Sequence, residues 1–543
     1  MAKFNKVAAL SAAAVVMPFL MTTPAVAAGD QNGRRALSED QRVGYLGRTT
    51  RSAIAANILS RIKNQKQVRR VSDTADRLVM WNEVLLDAIA LDHTPDPITG
   101  ALDFIQGGPV RTSRALAMTQ VAVFDAVNAF SGKFKPYNDI GSAPRNASVD
   151  AAIAYAAHDV LVNLYPAQKA RLDLLLSSDI SQIGDGSVKI AAGKAVGQAS
   201  AVAMIARRTG DGSDDSEADF GGGGRVATGN TNWYGEQVNG GETTPFHWEP
   251  DPLTPGATPG SVAQLTIGAY WGGVRPWVLA RGDQFRAPPP PEPGSAEYRA
   301  GFDEVKSIGA NPNSVPSSTS TARTRFIGNF WGYDAAPLLG TPPRLYNQIA
   351  VKLALEQGLT KVNELARYLA MVNAGLADAG IAAWDTKWFY NYWRPVTGVR
   401  RGAEDGDAAT AGDPTWQPVG VSVINTTDPV VATPPFPAYV SGHATFAASM
   451  FETLRSFFPN NTRFTIVSDE YNGTGTDPFG TPRPLVPVRF QSLQQAQEEN
   501  GQSRVYNGVH WQWDNIRGQN IGVAVSQYLQ SHAFQRVRGR DGD

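Results

Sequence analysis

Two cations, Lys387 and Arg394, lie in the stretch KWFYNYWRP and are the first candidates for chemistry. On a helix, their spacing of about two turns places both side chains on one face, about 10 Å apart along the axis. Pro395 is expected to end this helix, because proline lacks the N–H that continues it. The alternative is a pair of surface cations that extend into solvent. The surrounding tryptophans, tyrosines and phenylalanine favour burial, and a buried cation needs an anionic partner.

A second element, Ser441-Gly442-His443, precedes the apolar stretch ATFAASMFETL. Ser441 is a suitable N-cap for a helix that begins at Ala444, and Gly442 allows the backbone to approach a ligand closely. The free N–H groups and the positive dipole end of such a helix suit an anion. Taken alone, the element is more typical of a plain N-cap beside a surface histidine.

Arg504 and His510 form a third element, which is followed by Trp511 and Trp513. A core histidine is the ordinary interpretation of His510 on its own. The chain has only six histidines, however, and His443 and His510 both lie near one of these elements. The three elements together predict that one tetrahedral oxyanion is bound by six residues: Lys387, Arg394, Ser441, Gly442, Arg504 and His510.

Helical periodicity predicts the elements that position these residues. The first half is expected to be mainly α, and helices resume after a long connection rich in proline and glycine. The predicted organisation is a signal peptide at 1–28, an N-terminal helical region at 29–245, an irregular connection at 246–320, and a C-terminal helical bundle with the oxyanion site at 321–543.

In this order, KxxxxxxRP, SGH and SRxxxxxH resemble the signature shared by the vanadium-dependent haloperoxidases and the type 2 phosphatidic acid phosphatases. The flanking sequence is similar to the chloroperoxidase group of the haloperoxidases. Trp384 precedes Lys387 by three residues, PPFPAYVSGHATF resembles the corresponding segment, and NFWGYD resembles an upstream segment whose aspartate, here Asp334, pairs with a site arginine. One departure is Val440, which stands where the family usually has proline before Ser-Gly-His.

The resemblance implies an all-α fold of two four-helix-bundle-like halves, with vanadate as cofactor in the C-terminal half. It implies that five residues hold the vanadate oxygens, namely Lys387, Arg394, Ser441, Gly442 and Arg504. His510 would coordinate the metal, and His443 would act as the acid–base. The implied reaction is oxidation of chloride or bromide by hydrogen peroxide to hypohalous acid or an equivalent species, with Lys387 stabilising negative charge. The resemblance also allows an organic molecule to accept the halogen from this species.

Two alternatives stay open at the level of sequence. In a secreted acid phosphatase of the same superfamily, His510 would be the nucleophile and His443 would protonate the leaving alcohol. In a secreted oxyanion-binding protein without chemistry, His443 would have no role. Phe436 bears on the halide, because the chloroperoxidase group has an aromatic residue at the matching place and algal bromoperoxidases tend to have histidine. Phe436 is equally typical of a core residue.

Composition and the N-terminal sequence bear on the partners and the location of the protein. The net charge of -1 argues against nucleic acid or an anionic membrane as partner. Lys3 and Lys6, the apolar run 7–21 and Ala25-Val26-Ala27 have the order of a secretory signal, which predicts a secreted or periplasmic protein. No later apolar run is long enough to span a membrane. The chain has no cysteine, which suits a protein that makes an oxidant.

Overall fold

The computed structural model describes residues 60–94, 103–214, 245–249, 251–253, 267–334, 338–421, 433–473 and 483–537, so the expected signal peptide at 1–28 lies outside it. The elements within these ranges are α1 Thr74–Asp92, α2 Gly108–Ser131, α3 Val149–Leu164, α4 Lys169–Ile180, α5 Ser187–Arg208, α6 Ala296–Ile308, α7 Ala322–Phe330, α8 Pro342–Glu356, α9 Val362–Tyr390, α10 Pro395–Arg400, α11 Gly442–Arg455, β1 Phe464–Asn472, β2 Leu485–Phe490, α12 Leu493–Tyr506 and α13 Gln512–His532.

The N-terminal helices α1 to α5 pack on one another around an alanine-rich core. Two glycines of α5 allow it to lie directly against the start of α3. A Cβ atom at Gly193 would stand 2.1 Å from the carbonyl oxygen of Ser148, and one at Gly197 would stand 2.5 Å from that of Ala152. Side chains at these positions would therefore separate the two helices.

Helix α9 joins the two halves of the molecule. Its 29 residues are buried almost throughout, and it packs against α2 of the N-terminal group and against α11 and α13 of the C-terminal group. Gly380 faces both sides, since a Cβ atom there would lie 3.0 Å from the ring of Phe446 and 3.4 Å from Oγ of Ser113. The last turns of α9 carry Trp384 and Lys387.

The predicted continuation of this helix to Pro395 is wrong. Helix α9 ends at Tyr390, because Asn391 adopts a left-handed conformation with φ of 44° and closes the helix. The chain then runs beside residues 246–248, and the N–H of Trp393 donates to the carbonyl of Phe246 at 2.8 Å. Pro395 begins the short helix α10 with Arg394 as its N-cap, so Lys387 and Arg394 do not share one helix face.

The all-α fold class is confirmed, with one addition that the sequence analysis missed. Strands β1 and β2 form an antiparallel hairpin, with Phe464 opposite Phe490 and Ile466 opposite Val488. The predicted irregular connection at 246–320 also contains a regular element, because α6 lies within it. In the described part of the chain, none of the helices combines the length and the apolar character that crossing a membrane requires.

Candidate oxyanion site

The centre of the C-terminal half contains buried cations without direct ion-pair partners. Lys387, Arg394 and Arg504 are each 0% exposed, and the carboxylates whose charges act on them include Asp334, Asp514 and Asp251. Among the described residues, only Arg504 of the three cations makes an ion pair with a carboxylate, that of Asp334. Because unbalanced charge is costly in a protein interior, this arrangement favours a bound anion.

Lys387 reaches the site from the last turn of α9. Its Nζ atom donates to the carbonyl oxygens of Pro437 at 2.8 Å and Ala438 at 3.1 Å. The ammonium group lies 4.9 Å from the ring centroid of Phe436 and 5.5 Å from that of Trp384. Burial, together with the charge of Arg394, holds the pKa of Lys387 well below its usual value. An anion at this point would favour its charged form.

Arg394 enters the site from the N-cap of α10 rather than from the preceding helix. Its Nε atom donates to the carbonyl of Phe436 at 2.9 Å, and Nη1 donates to the carbonyl of Val509 at 2.8 Å. Nη1 also lies 3.0 Å from Nε2 of His510. Among the described residues, the buried Nη2 atom has no hydrogen-bond partner. A buried guanidinium with an unused donor is suited to an oxyanion.

His510 is held in one tautomer by its neighbours. Its Nδ1 atom lies 2.8 Å from Oδ2 of Asp514, an oxygen that also accepts the N–H of Trp511. The Nε2 atom faces the N–H of Arg394 and therefore presents a lone pair. Burial and the charge of Arg394 hold the pKa of His510 well below its usual value. A neutral imidazole with Nε2 directed into the site is the form that binds a metal.

The start of α11 supplies the backbone of the site. Oγ of Ser441 accepts the N–H of Ala444 at 3.3 Å, as the predicted N-cap requires. The N–H of Ser441 donates to the carbonyl of Asp514 at 3.0 Å, which ties this loop to α13 although Val440 replaces the usual proline. Trp384 packs against Gly442, where a Cβ atom would lie 3.1 Å from the indole. The first N–H groups of α11 lack partners within the helix.

His443 lies at the more exposed side of the cluster, with 8% of its surface accessible. Its Nε2 atom lies 2.8 Å from the carbonyl oxygen of Gly332 and 3.8 Å from Oδ1 of Asp334. Because a carbonyl only accepts, Nε2 carries the hydrogen and Nδ1 carries the lone pair. Burial and the charge of Arg504 hold the pKa of His443 well below its usual value.

Asp334 pairs with Arg504, as the resemblance implied, and Nη2 of Arg504 donates to its Oδ1 at 2.8 Å. The Nε and Nη1 atoms of Arg504 are buried and have no hydrogen-bond partner among the described residues. Arg504 lies in α12, a helix that the sequence analysis missed. The guanidinium is therefore fixed at one end by Asp334 and has two donors available at the other.

The structure gathers all of the predicted site residues into one cluster, including the supporting residues Trp384, Phe436 and Asp334. It adds groups that the sequence analysis did not assign. Asp514 could have been found from its i, i+4 spacing to His510. Tyr346 donates to the carbonyl of His443 at 3.2 Å and accepts from Asn500 at 3.0 Å. No local sequence pattern predicts these contacts.

These residues fit vanadate. The unused donors of Arg394 and Arg504 suit the oxygens of a tetrahedral anion, and Lys387 adds a third cation. The lone pair on Nε2 of His510, which lies beside Arg394, is the candidate metal ligand. The same donor set also suits phosphate, so it does not by itself distinguish the two oxyanions.

The chain is similar to several known proteins. Residues 367–539 match the family model described as the VCPO second helical-bundle domain. The vanadium chloroperoxidase of Curvularia inaequalis is 31% identical over 293 residues, which are 47% of this chain and 47% of that protein. The match therefore spans about half the length of this relative.

Three solved structures have a similar fold. One is a bacterial vanadium-dependent iodoperoxidase, with a TM-score of 0.63, 21% identity, and coverage of 87% of this chain and 100% of that chain. The apo and holo forms of a bacterial vanadium-dependent chloroperoxidase have TM-scores of 0.56 and 0.55, with 18% and 17% identity. Each covers 78% of this chain, and 94% and 93% of its own chain, respectively. The chain has the helical fold seen in these vanadium-dependent haloperoxidases, and its residues 367–539 match the VCPO second helical-bundle domain.

Proposed function

We propose that this chain is a vanadate-dependent haloperoxidase, which uses hydrogen peroxide to oxidise chloride or bromide to hypohalous acid or an equivalent halogenating species. The observation that carries the proposal is the pairing of unused buried donors on Arg394 and Arg504 with a neutral, oriented His510. A site for an anion alone needs the donors, whereas a site for an oxometallate also needs the imidazole lone pair.

In this proposal the oxygens of vanadate are held by Lys387, Arg394, Ser441, the N–H of Gly442, and Arg504. His510 is the metal ligand through Nε2. Bound vanadate supplies a Lewis acid that activates peroxide toward attack by a halide. Lys387 stabilises the negative charge that develops on the reacting oxygen.

The proton transfer falls to His443. Its Nδ1 lone pair can accept a proton from peroxide as peroxide enters, and the protonated ring can return it to the departing oxygen. Asp334 lies 3.8 Å from the other ring nitrogen and would stabilise the charged ring. A depressed pKa keeps His443 unprotonated before an anion is bound, so that its Nδ1 lone pair can accept a proton.

Phe436 supports chloride and bromide as the halides. Its ring packs against the cationic groups of Lys387 and Arg394, with centroid distances of 4.9 Å and 4.8 Å. An apolar wall beside two cations accommodates a halide ion, and the choice of chloride and bromide rests on the resemblance of Phe436 to the aromatic residue of the chloroperoxidase group. Iodide should be tested as a substrate alongside them, because one similar structure is that of an iodoperoxidase.

The experiment compares two activities of the purified mature chain. With orthovanadate, peroxide and each halide in turn, halogenation of a dimedone-type acceptor is expected. The vanadate-free chain is tested in parallel on an aryl phosphate. Rapid phosphate release without halogenation would support the secreted acid phosphatase, with His510 as nucleophile, and overturn the proposal.

Export belongs to the same proposal, because residues 1–28 have the order of charged, apolar and small residues that is typical of a secretory signal. The predicted signal at 1–28 is tested by sequencing the N-terminus of the secreted or periplasmic protein. Cleavage after Ala27 or Ala28 is expected.

A further inference from the structure

Strand β1 carries polar side chains at positions that face the core. Phe464, Ile466, Ser468 and Glu470 alternate with outward residues and are each no more than 5% exposed. Phe464 and Ile466 fit the rule that inward positions of a strand are apolar, whereas Ser468 and Glu470 do not. A buried carboxylate is costly unless it accepts hydrogen bonds, so Glu470 is expected to hold something in place.

The polar pair contacts the segment that follows α7, residues 330–334. Oγ of Ser468 donates to the carbonyl of Phe330 at 2.7 Å. The N–H of Tyr333 donates to Oε1 of Glu470 at 3.2 Å. The hairpin therefore binds both ends of a short loop through side chains that are completely buried.

The loop between these contacts has an unfavourable backbone conformation. Tyr333 has φ of 49°, a left-handed value that bulky residues rarely adopt. Its hydroxyl donates to Oε1 of Gln348 at 3.1 Å and accepts the N–H of Asp469 at 2.7 Å. Such a conformation persists only where its surroundings fix it, and here β1 supplies two of the fixing contacts.

The same loop carries the two groups that orient His443 and Arg504. The carbonyl of Gly332 accepts from Nε2 of His443, and Asp334 holds Arg504. Both groups are adjacent in sequence to Tyr333. A displacement of this loop would remove both the contact that fixes the tautomer of His443 and the ion pair that orients Arg504.

We propose that Ser468 and Glu470 are positioning residues, which hold the loop at residues 330–334 so that Gly332 orients His443 and Asp334 orients Arg504. The hairpin thus serves the site without touching the oxyanion. The importance of this positioning for halogenation rests on the proposed function. The positioning itself can be measured on the vanadate-free chain.

The test uses the full chain labelled with ¹⁵N-histidine, which gives few signals because there are six histidines. The wild-type spectrum should show His443, assigned by comparison with His443→Ala, as the Nε2–H tautomer. Glu470→Ala should give a mixture of tautomers and weaken orthovanadate binding about 10-fold or more by calorimetry. Glu470→Gln keeps an oxygen that can accept the N–H of Tyr333 and should restore both properties. Thr465→Ala, on the outward side of β1, is the matched control and should change neither.

Wild-type tautomer and orthovanadate affinity in Glu470→Ala would overturn the proposal. If that variant does not fold, Ser468→Ala decides, since it changes the volume little and removes the bond to Phe330 together with the longer one that Oγ accepts from the N–H of Glu470 at 3.3 Å. It should shift the His443 signals in the same direction and weaken orthovanadate binding about fivefold. Unchanged signals and affinity would again overturn the proposal. Failure of the wild-type chain to halogenate would contradict the proposed function, but it would not alter either measurement.

Discussion

Nδ1 of His510 lies 2.8 Å from Oδ2 of Asp514, one turn further along the chain at the start of α13. Oδ2 of the same carboxylate also accepts the N–H of Trp511 at 3.1 Å. One buried group therefore holds both the histidine ring and the first turn of the helix. The preference of His510 for a lone pair on Nε2 follows from this contact.

Replacing Asp514 should weaken vanadate binding with little effect on the other groups that are proposed to hold the vanadate oxygens. Asp514→Asn keeps the shape but removes the charge that fixes the His510 tautomer, so we expect a loss of about 10- to 100-fold in vanadate affinity. Calorimetric titration with orthovanadate measures this. Because burial already raises the pKa of Asp514, the variant should fold. Unchanged affinity would show that the tautomer is set elsewhere.

His510→Ala should abolish vanadate retention. The variant removes the proposed metal ligand, while the cations that hold the oxygens remain. Retention is measured as bound vanadium after gel filtration. His532→Ala is the matched control, because His532 is an exposed histidine at the C-terminal end of α13, the helix that follows His510. Equal retention by both variants would exclude His510 as the ligand.

Arg504→Lys should reduce oxyanion affinity because lysine cannot supply the two unused donors at Nε and Nη1. Hydrogen bonds to charged groups contribute about 1.5–3 kcal/mol each, so a loss of at least about tenfold is expected. Arg517→Lys is the control, since Arg517 makes a partly exposed ion pair with Glu297 at 3.1 Å. A loss of equal size in the control would indicate a nonspecific effect of the substitution.

His443→Ala should slow turnover by about 10²- to 10⁴-fold, as expected for loss of a general acid–base, and should leave vanadate bound. Steady-state halogenation and bound vanadium are measured on the same sample. His158→Ala, in the N-terminal half, should retain wild-type activity. Full activity of His443→Ala would support a protein that binds an oxyanion without using this histidine.

Acid should destabilise the fold through His93, which is completely buried in the N-terminal half. Its Nδ1 donates to the carbonyl of Ile89 at 2.9 Å, and Nε2 accepts the N–H of Gly108 at 3.2 Å, so the ring must be neutral. Burial lowers the pKa of His93 from 6.5 to about 4. A lowered pKa means that the contribution is present above pH 6.5 and is lost as the pH falls toward 4.

We expect this group to remove roughly 2 kcal/mol of stability between pH 7 and pH 5. Urea unfolding at the two pH values measures the loss for the wild type and for His93→Gln, which does not titrate. The variant should lose less stability than the wild type on acidification. An equal loss would mean that His93 does not contribute.

The motifs and the long helices were predictable because they depend on local patterns. The helix that carries Lys387 and the N-cap at Ser441 follow from periodicity and capping chemistry. The end of α9 was missed because Asn391 closes it, and the pairing of Trp393 with Phe246 is a long-range contact. Strand β1 was missed because Ser468 and Glu470 break its apolar alternation.

The central claim is most directly tested by titrating the vanadate-free chain with orthovanadate while following bromide- and chloride-dependent halogenation at fixed peroxide. We predict no activity at the start, a linear rise, and saturation at one vanadate per chain, with inorganic phosphate competing for the same site. Halogenation that is independent of vanadate, or its absence at saturating vanadate with both bromide and chloride, would contradict the account.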